Sequence, residues 1–177
     1  GPAILELNLQ QGTMTPFADA ARLAAFDAAV SNLSGIAIMP SAHVGDAETL
    51  LVIDTSTNRI LAITAVSITT FAGLSSPAGG FADGSASAAL FRFSSPTQLA
   101  IGGDGVVYLS DPGNHRVRRI ANNSVSTLAG SGVPGYLDGS GTAARFEQPD
   151  GVAIECEGTL VVTEATHRIR RLTFKAS

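Results

Sequence analysis

Three stretches of the chain share one pattern of apolar and polar positions. Each has an apolar run, a polar turn that begins with an acidic residue, and a second run that begins near an arginine; they span residues 48–63, 105–120 and 158–172. Runs such as Val107-Tyr108-Leu109 favour a buried strand, and Pro112-Gly113 favours a turn. The pattern therefore predicts three β-hairpins.

Further strand-like runs flank each hairpin, so that each repeat has four predicted strands. The inner strands are predicted at residues 33–39, 97–101 and 151–154, the second at 50–53, 106–109 and 160–162, the third at 59–63, 116–120 and 168–172, and the outer at 66–71 and 125–128. Residues 4–9 alternate like an additional outer strand, and the Ala-rich segment 20–30 predicts a short helix. The second strands are almost wholly apolar, which predicts that both of their faces are covered.

The Gly- and Ser-rich segment 73–95 has the composition of a linker, but it returns as residues 130–148 with the same aromatic, Asp-Gly and Ala-Ala marks. A recurring loop of this length is expected to be packed. We expect its aromatic residues to be the anchors: Phe81, Phe91, Tyr136 and Phe146.

Four-stranded units that recur at intervals of about 55 residues are typical of a β-propeller. The sequence thus predicts an all-β fold in one domain, residues 1–177, with repeats at about 12–71, 72–128 and 129–174.

Three motifs resemble the NHL-repeat family in the long-loop form of the repeat. They are Asn114-His115-Arg116-Val117 after a strand, the run VSTLAG at residues 125–130, and the run FEQPDGVA at residues 146–153. The first repeat is more divergent, because Asn58-Arg59 stands there without the histidine. The resemblance implies propeller blades, commonly six to a ring.

Three blades cannot close a ring by themselves, since propellers have about four to eight. We therefore predict a homodimer with six blades, in which strand 4–9 of each chain completes the last blade of the other. The alternative is that the chain is a segment of a longer propeller.

Each predicted hairpin has an acid at the end of one strand and an arginine at the start of the next. This arrangement predicts structural ion pairs between Asp54 and Arg59, between Asp111 and Arg116, and between Glu164 and Arg168. Recurrence in every repeat favours a structural role over catalysis.

Composition narrows the function classes. The chain of 177 residues has a net charge of −4, which argues against a nucleic-acid partner, and its single cysteine cannot form an internal disulfide. No apolar run approaches the roughly 20 residues of a membrane span. Glycosylation sequons at Asn32 and Asn122 are compatible with secretion without fixing a compartment.

We predict a non-catalytic scaffold that binds a protein, a peptide or another ligand, with no catalytic residue, metal or cofactor. The candidate binding residues lie in the turns between second and third strands: Thr55, Ser56, Thr57, Pro112, Gly113, Asn114, Ala165 and Thr166. Two alternatives follow from the resemblance. Some NHL-like propellers are metal-dependent lyases or lactonases, for which the inner strands offer only Gln98, Asp150 and Glu155; others bind RNA, which the acidic charge disfavours.

Overall fold

The structure is a computed structural model that describes residues 4–8, 13–18, 20–40, 48–156 and 158–173. In order, these residues form β1 (Ile4–Asn8), β2 (Thr13–Ala18), α1 (Ala20–Phe26), β3 (Leu33–Ile38), β4 (Leu50–Asp54), β5 (Arg59–Ile63), β6 (Ile68–Ala72), β7 (Gly84–Ser85), β8 (Leu99–Ile101), β9 (Val107–Asp111), β10 (Arg116–Ala121), β11 (Ser124–Ala129), β12 (Pro149–Cys156), β13 (Thr159–Glu164) and β14 (Arg168–Thr173). In this part of the chain no helix is long and apolar enough to cross a membrane.

The strands form four antiparallel sheets, which confirms the predicted all-β class. β1 and β2 form a hairpin of their own. The first large sheet has the order β3-β4-β5-β6, the second β7-β11-β10-β9-β8, and the third β12-β13-β14. The inner, second and third strands of each predicted repeat are therefore neighbours in one sheet, in chain order.

Each large sheet has two faces, because successive side chains of a strand point to opposite sides. We call the side that bears Val52, Leu109 and Val162 the front face of the first, second and third sheet. The back face bears Ile60 in the first sheet and Val117 in the second. β4 and β9 are buried along their whole length, as their apolar runs predict.

The sheets stack front to back. The front of the second sheet packs on the back of the first, where Ile53 and Ile60 meet Leu99 and Leu109. The front of the third sheet packs on the back of the second around Val117 and Leu160, among other residues. The front of the first sheet is partly covered by Leu23 of α1 and by Val30. Apolar burial between sheets is therefore the main source of cohesion.

The two long loops are packed, and two of the four predicted aromatic anchors are buried. Phe91 and Phe146 fill the spaces between sheets and are 0% and 1% exposed. Phe93 stacks on Phe91 with ring centroids 4.9 Å apart. Phe81 and Tyr136, however, are 45% and 55% exposed. Their rings lie under arginine side chains instead of in the apolar core.

Three further features differ from the sequence predictions. The helix ends at Phe26 rather than at residue 30, because the Asp27 carboxylate accepts the Ala29 N–H and turns the chain. Residues 13–18 form an unpredicted strand that pairs with β1. The second sheet has a fifth strand, since Gly84–Ser85 pairs with β11. Leu9, at the end of predicted strand 4–9, lies outside the described residues.

Candidate functional site

The starts of the inner strands lie side by side and form what we call the inner edge, comprising Ser34, Thr97, Gln98 and Asp150. Ser34 Oγ donates to the Thr97 carbonyl at 3.1 Å and accepts the Thr97 N–H at 3.2 Å. The Gln98 N–H donates to the Asp150 carbonyl at 3.0 Å. These bonds join the first sheet to the second and the second to the third.

A groove with a volume of about 600 Å³ runs along the inner edge of the first two sheets. It is lined by residues 33–36, Val52 and residues 96–99. Gly35 has a φ of +34°, and a Cβ there would lie 2.5 Å from the Thr97 carbonyl oxygen. Only glycine allows the two inner strands to approach this closely. The groove combines apolar side chains such as Ile36 with the exposed amide of Gln98.

Gln98 lines the groove and lies close to residues 150 and 151 of the neighbouring inner strand. Asp150 Oδ1 accepts the Gly151 N–H at 2.7 Å and the Thr163 hydroxyl at 2.5 Å. A Cβ on Gly151 would lie 3.4 Å from Gln98 Oε1, so the Gln98 side chain lies over Gly151, the residue that follows Asp150. The side-chain amide of Gln98 can hydrogen-bond a ligand that carries both donors and acceptors.

Glu155, the other inner-strand acid, pairs with Arg171 at 2.6 Å. Among the residues that the structure describes, no group of three or more His, Cys, Asp or Glu side chains converges as a metal site would require.

The ion pairs of the second and third sheets use different arginines from those predicted. Asp111 is buried and pairs with Arg118 at 2.6 Å, whereas Arg116 donates to the carbonyls of Asn114 and Ser131. Arg116 and Arg118 share one face of β10, but Arg118 lies deeper and reaches the carboxylate. The predicted Asp111–Arg116 partnership is thus corrected.

Burial raises the pKa of Asp111 above its ordinary value, while Arg118, the Asn114 amide and the Arg92 N–H favour the carboxylate. The Arg92 N–H donates to Asp111 Oδ1 at 2.8 Å. Asp111 thus ties the long loop to the turn of the second sheet.

The third sheet repeats this correction. Glu164 pairs with Arg170 at 2.8 Å rather than with Arg168. Arg168 instead lies over the Tyr136 ring, 4.8 Å from its centroid, and donates to Thr166 Oγ1. In both sheets the acid therefore pairs with the arginine two positions after the predicted one.

The first sheet has leucine at the position of the buried arginine, and its pairing differs accordingly. Leu61 occupies that position, and Arg59 pairs with Asp27 at 2.8 Å and with Asp54 at 3.6 Å. Thr57 Oγ1 donates to Asp54 and accepts Arg59 Nε–H at 2.8 Å. The Thr57 hydroxyl thus donates to the buried acid of the first sheet, as Arg118 does in the second sheet.

Sequence reasoning missed the acid that completes each ion-pair cluster. Asp83 binds Arg118 at 2.7 Å, and Asp138 binds Arg170. The signal was present, because these two acids and these two arginines recur at matching positions of their repeats. It could not be recognised without the fold, which brings a loop residue onto a strand more than thirty residues away.

The predicted binding turns are mostly engaged in closing the fold. Thr57 and Pro112 are buried. In the first turn, Ser56 donates to Asp54 and Thr55 donates to the Asn32 carbonyl. In the second turn, Asn114 donates to Asp111 and to the Gly80 carbonyl. Gly113 of the same turn lies against Arg92. Ala165 and Thr166 are exposed. Of the predicted set, these last two are the ones presented to solvent.

Known proteins resemble this chain in sequence and in fold. No family model matches it. Over 78 residues it is 33% identical to Protein SUPPRESSOR OF QUENCHING 1, chloroplastic, from Arabidopsis thaliana, a match that covers 43% of this chain and 7% of that protein.

Two crystal structures from Bacteroides thetaiotaomicron share the β-rich fold. A structural genomics protein of unknown function has a TM-score of 0.65 at 26% identity, over 72% of this chain and 32% of its own. An auxiliary nutrient binding protein has a TM-score of 0.70 at 18% identity, over 98% of this chain and 43% of its own. The chain thus spans less than half of each of these proteins.

Proposed function

We propose that this chain forms three successive blades of an NHL-type β-propeller and acts as a non-catalytic binding scaffold. The observation that carries the proposal is the repeated front-to-back stacking, with inner strands side by side. Sheets of about four strands arranged around one axis are the plan of a propeller. The fold similarity to an auxiliary nutrient binding protein is in keeping with a binding role.

One turn position supports the NHL-type repeat and the repeat boundaries 12–71, 72–128 and 129–174. Asn58, His115 and His167 occupy it, with φ values of 57°, 53° and 62°. Asn58 Oδ1 accepts the Phe93 N–H at 2.7 Å, and His115 Nδ1 accepts the Gln148 N–H at 3.2 Å. The motif residue of one blade thus holds the chain that enters the next.

The proposed binding site is the inner-edge groove. Its lining offers the side-chain amide of Gln98 and is apolar around Ile36. Concave sites with a few placed polar groups on an apolar lining suit small ligands and peptide segments. The ligand class is therefore a short peptide or a small molecule with hydrogen-bonding groups and one apolar face.

A thermal-shift screen with dipeptides, monosaccharides and disaccharides tests this site. A compound that raises Tm is then titrated against the wild-type protein, Gln98→Ala and the exposed control Arg145→Ala. We expect at least a tenfold loss of affinity in Gln98→Ala and wild-type affinity in the control. A screen with no stabilising compound, or a compound bound equally by Gln98→Ala, argues against the groove.

The geometry favours a scaffold over both alternatives. A metal-dependent lyase or lactonase would need Gln98, Asp150 and Glu155 to meet at one ion, whereas Glu155 pairs with Arg171. An RNA-binding surface normally carries a positive balance, and this chain has a net charge of −4.

The two outward faces of the stack support a ring made from two copies. Ile169, on the back of the third sheet, is 75% exposed, although Ile60 and Val117 at the matching positions are 0% exposed. Ile36, on the front of the first sheet, is 55% exposed, whereas Leu99 at the matching position is 6% exposed. We propose that these faces meet in a six-bladed homodimer. That strand 4–9 completes the last blade of the other copy stays a prediction, since in the described residues β1 pairs with β2 along one of its two edges.

Light scattering on a size-exclusion column tests the dimer. One chain has a mass of 18.0 kDa, and the ring would have twice that mass. Ile169→Asp should yield the single-chain mass, while Val66→Asp, at a position that is 91% exposed, should leave the dimer intact. A single-chain mass for the wild-type protein at every concentration would refute the homodimer.

A further inference from the structure

A second cavity, which we call the turn cavity, lies between the first and second sheets beside the turn from β10 to β11. Its volume is about 350 Å³, and it shares no lining residue with the inner-edge groove. Every described residue that lines it has an uncharged side chain. The turn cavity is therefore a separate concave site, and its lining suits a neutral ligand.

A small residue of the first sheet leaves room for the turn cavity. Ala62 lies opposite Thr69 on the back of the first sheet, and it lines the cavity. At the matching position of the second sheet, Arg119 lies opposite Ser126. Arg171 has this position in the third sheet. The first sheet thus differs from the other two at the one position where a long side chain would enter the cavity.

Two asparagines form the turn that lies beside the cavity. Asn122 and Asn123 stand between the paired residues Ala121 and Ser124, with φ values of 50° and 57°. Asparagine is favoured in such two-residue turns because it adopts a positive φ readily. The Ala86 N–H donates to the Asn123 carbonyl at 2.9 Å. The position of the turn is therefore fixed through its backbone.

The side chains of this turn are left unused by the fold. Within the part of the chain that the structure describes, the side chains of Asn122, Asn123 and Thr69 make no hydrogen bond. The amides of two other turn residues, Asn58 and Asn114, each donate to a main-chain carbonyl at 2.7 Å. Side-chain amides and hydroxyls both donate and accept hydrogen bonds. The turn cavity thus offers two free amides and a free hydroxyl.

The rest of the lining is mostly apolar. Phe71 of the first sheet is partly buried against the core between the two sheets, and Ile120 of the second sheet is 3% exposed. Ligand sites commonly combine such an apolar lining with a few placed polar groups, and their volumes begin at about 300 Å³. A cavity of about 350 Å³ therefore suits a ligand the size of one sugar ring.

We propose that the turn cavity binds a neutral monosaccharide. The sugar hydroxyls exchange hydrogen bonds with the amides of Asn122 and Asn123 and with the Thr69 hydroxyl. An apolar C–H face of the ring lies against Phe71 and Ile120. A charged sugar is excluded, because it would lose hydration without gaining an opposite charge. This site does not depend on the inner-edge groove or on the ring.

Nuclear magnetic resonance of the full wild-type chain tests the site. The probes are glucose, galactose, mannose and N-acetylglucosamine, each added alone. We expect saturation transfer from the protein to at least one of them. The same sugar should shift the side-chain amide signals of Asn122 and Asn123 in a saturable manner. Absence of transfer to all four sugars, or binding that leaves both amide signals unmoved, overturns the proposal.

Three variants locate the binding. Asn122→Gly keeps a residue that adopts positive φ and removes the amide, so it should weaken the sugar about tenfold. Ala62→Arg introduces the residue of the matching positions and should abolish binding, because its side chain enters the cavity. Thr142→Ala, at an exposed position outside the cavity, should bind as the wild-type chain does.

An affinity that stays at the wild-type value in both Asn122→Gly and Ala62→Arg would place the sugar elsewhere and overturn the proposal. A loss in Thr142→Ala equal to that in Asn122→Gly would overturn it as well, since the effect would then be general. The spectra of the wild-type chain require no substitution, so they decide the proposal even if a variant fails to fold.

Discussion

Arg118 and Asp111 form an ion pair of 2.6 Å in which neither side chain is exposed. The same guanidinium donates to the Ala82 carbonyl at 2.8 Å and lies 5.1 Å from the centroid of the Phe91 ring. One arginine therefore holds a strand, a turn and the long loop together. Its burial is compensated because these partners occupy several of its donors.

Loss of this arginine should be among the most damaging single changes in the chain. Arg118→Ala leaves the Asp111 carboxylate buried without its cation, and breaking a buried pair costs about 3–5 kcal/mol. Urea unfolding should show a loss of that size. Arg145→Ala, an exposed arginine, should change the free energy of unfolding by less than about 0.5 kcal/mol. Similar losses in both variants would mean that Arg118 is not specially important.

The strands were predictable because their signal is local. In β4 and β9 every residue is buried, and the apolar runs of the sequence show this directly. The repetition also indicated which strands correspond among the three repeats, since three copies of one pattern are expected to adopt the same structure. The stacking of sheets followed from the same repetition, because apolar residues recur on both faces of the second strands.

The side-chain partners were not predictable to the same degree. Arg116 and Arg118 are two residues apart, so their side chains lie on the same face of the strand. The alternation of faces therefore cannot decide which of the two arginines reaches Asp111. The choice depends on the long loop, which brings Asp83 to Arg118 and the ring of Phe81 to within 3.7 Å of the Arg116 guanidinium. Such contacts over long sequence separations exist only in the folded chain. For the same reason the inner-edge groove could not be located from sequence.

The close approach of the long loop to the second sheet makes a glycine necessary at residue 130. Gly130 has a φ of +105°, and a Cβ there would lie 2.5 Å from the His115 carbonyl oxygen. Gly135 has a similar φ of +129° but no atom within 4 Å of the added Cβ. We expect Gly135→Ala to cost roughly 1–3 kcal/mol from backbone strain alone, and Gly130→Ala to cost clearly more. Thermal unfolding measures the loss of stability in each variant, and the difference between the two losses is the cost of the contact between the added Cβ and the His115 carbonyl. An equal loss of stability in the two variants would show that the neighbouring backbone moves away from the added Cβ at no cost.

The interface between the second and third sheets depends on Val117. This side chain is 0% exposed and packs in the cluster with Phe146 and Leu160. Val117→Ala should cost about 1.5–3 kcal/mol from lost burial and the space left behind. Val66→Ala makes the same chemical change at a position that is 91% exposed and should cost less than about 0.5 kcal/mol. Chemical denaturation compares them, and equal midpoints would contradict the proposed importance of this interface.

The end of α1 should make stability depend on pH through Asp27. The hydrogen bond from the Ala29 N–H, together with Arg59, holds the pKa of Asp27 below its ordinary value of 3.8, while burial acts in the opposite sense. A lowered folded-state pKa means that unfolding takes up a proton at Asp27 in acid. Its stabilising contribution is therefore present above about pH 3.8 and is lost as the pH falls through the lowered folded-state pKa.

Asp27→Asn removes this proton uptake. The variant should be less stable than the wild-type protein at pH 6, because Arg59 loses a partner at 2.8 Å. The difference should shrink as the pH falls below about 3.8, since the wild-type carboxylate is then neutralised as well. Urea unfolding at a series of pH values measures the difference, with Ala28→Asn as the neighbouring uncharged control. A difference that stays constant down to the acid limit would show that Asp27 titrates alike in the folded and unfolded chain.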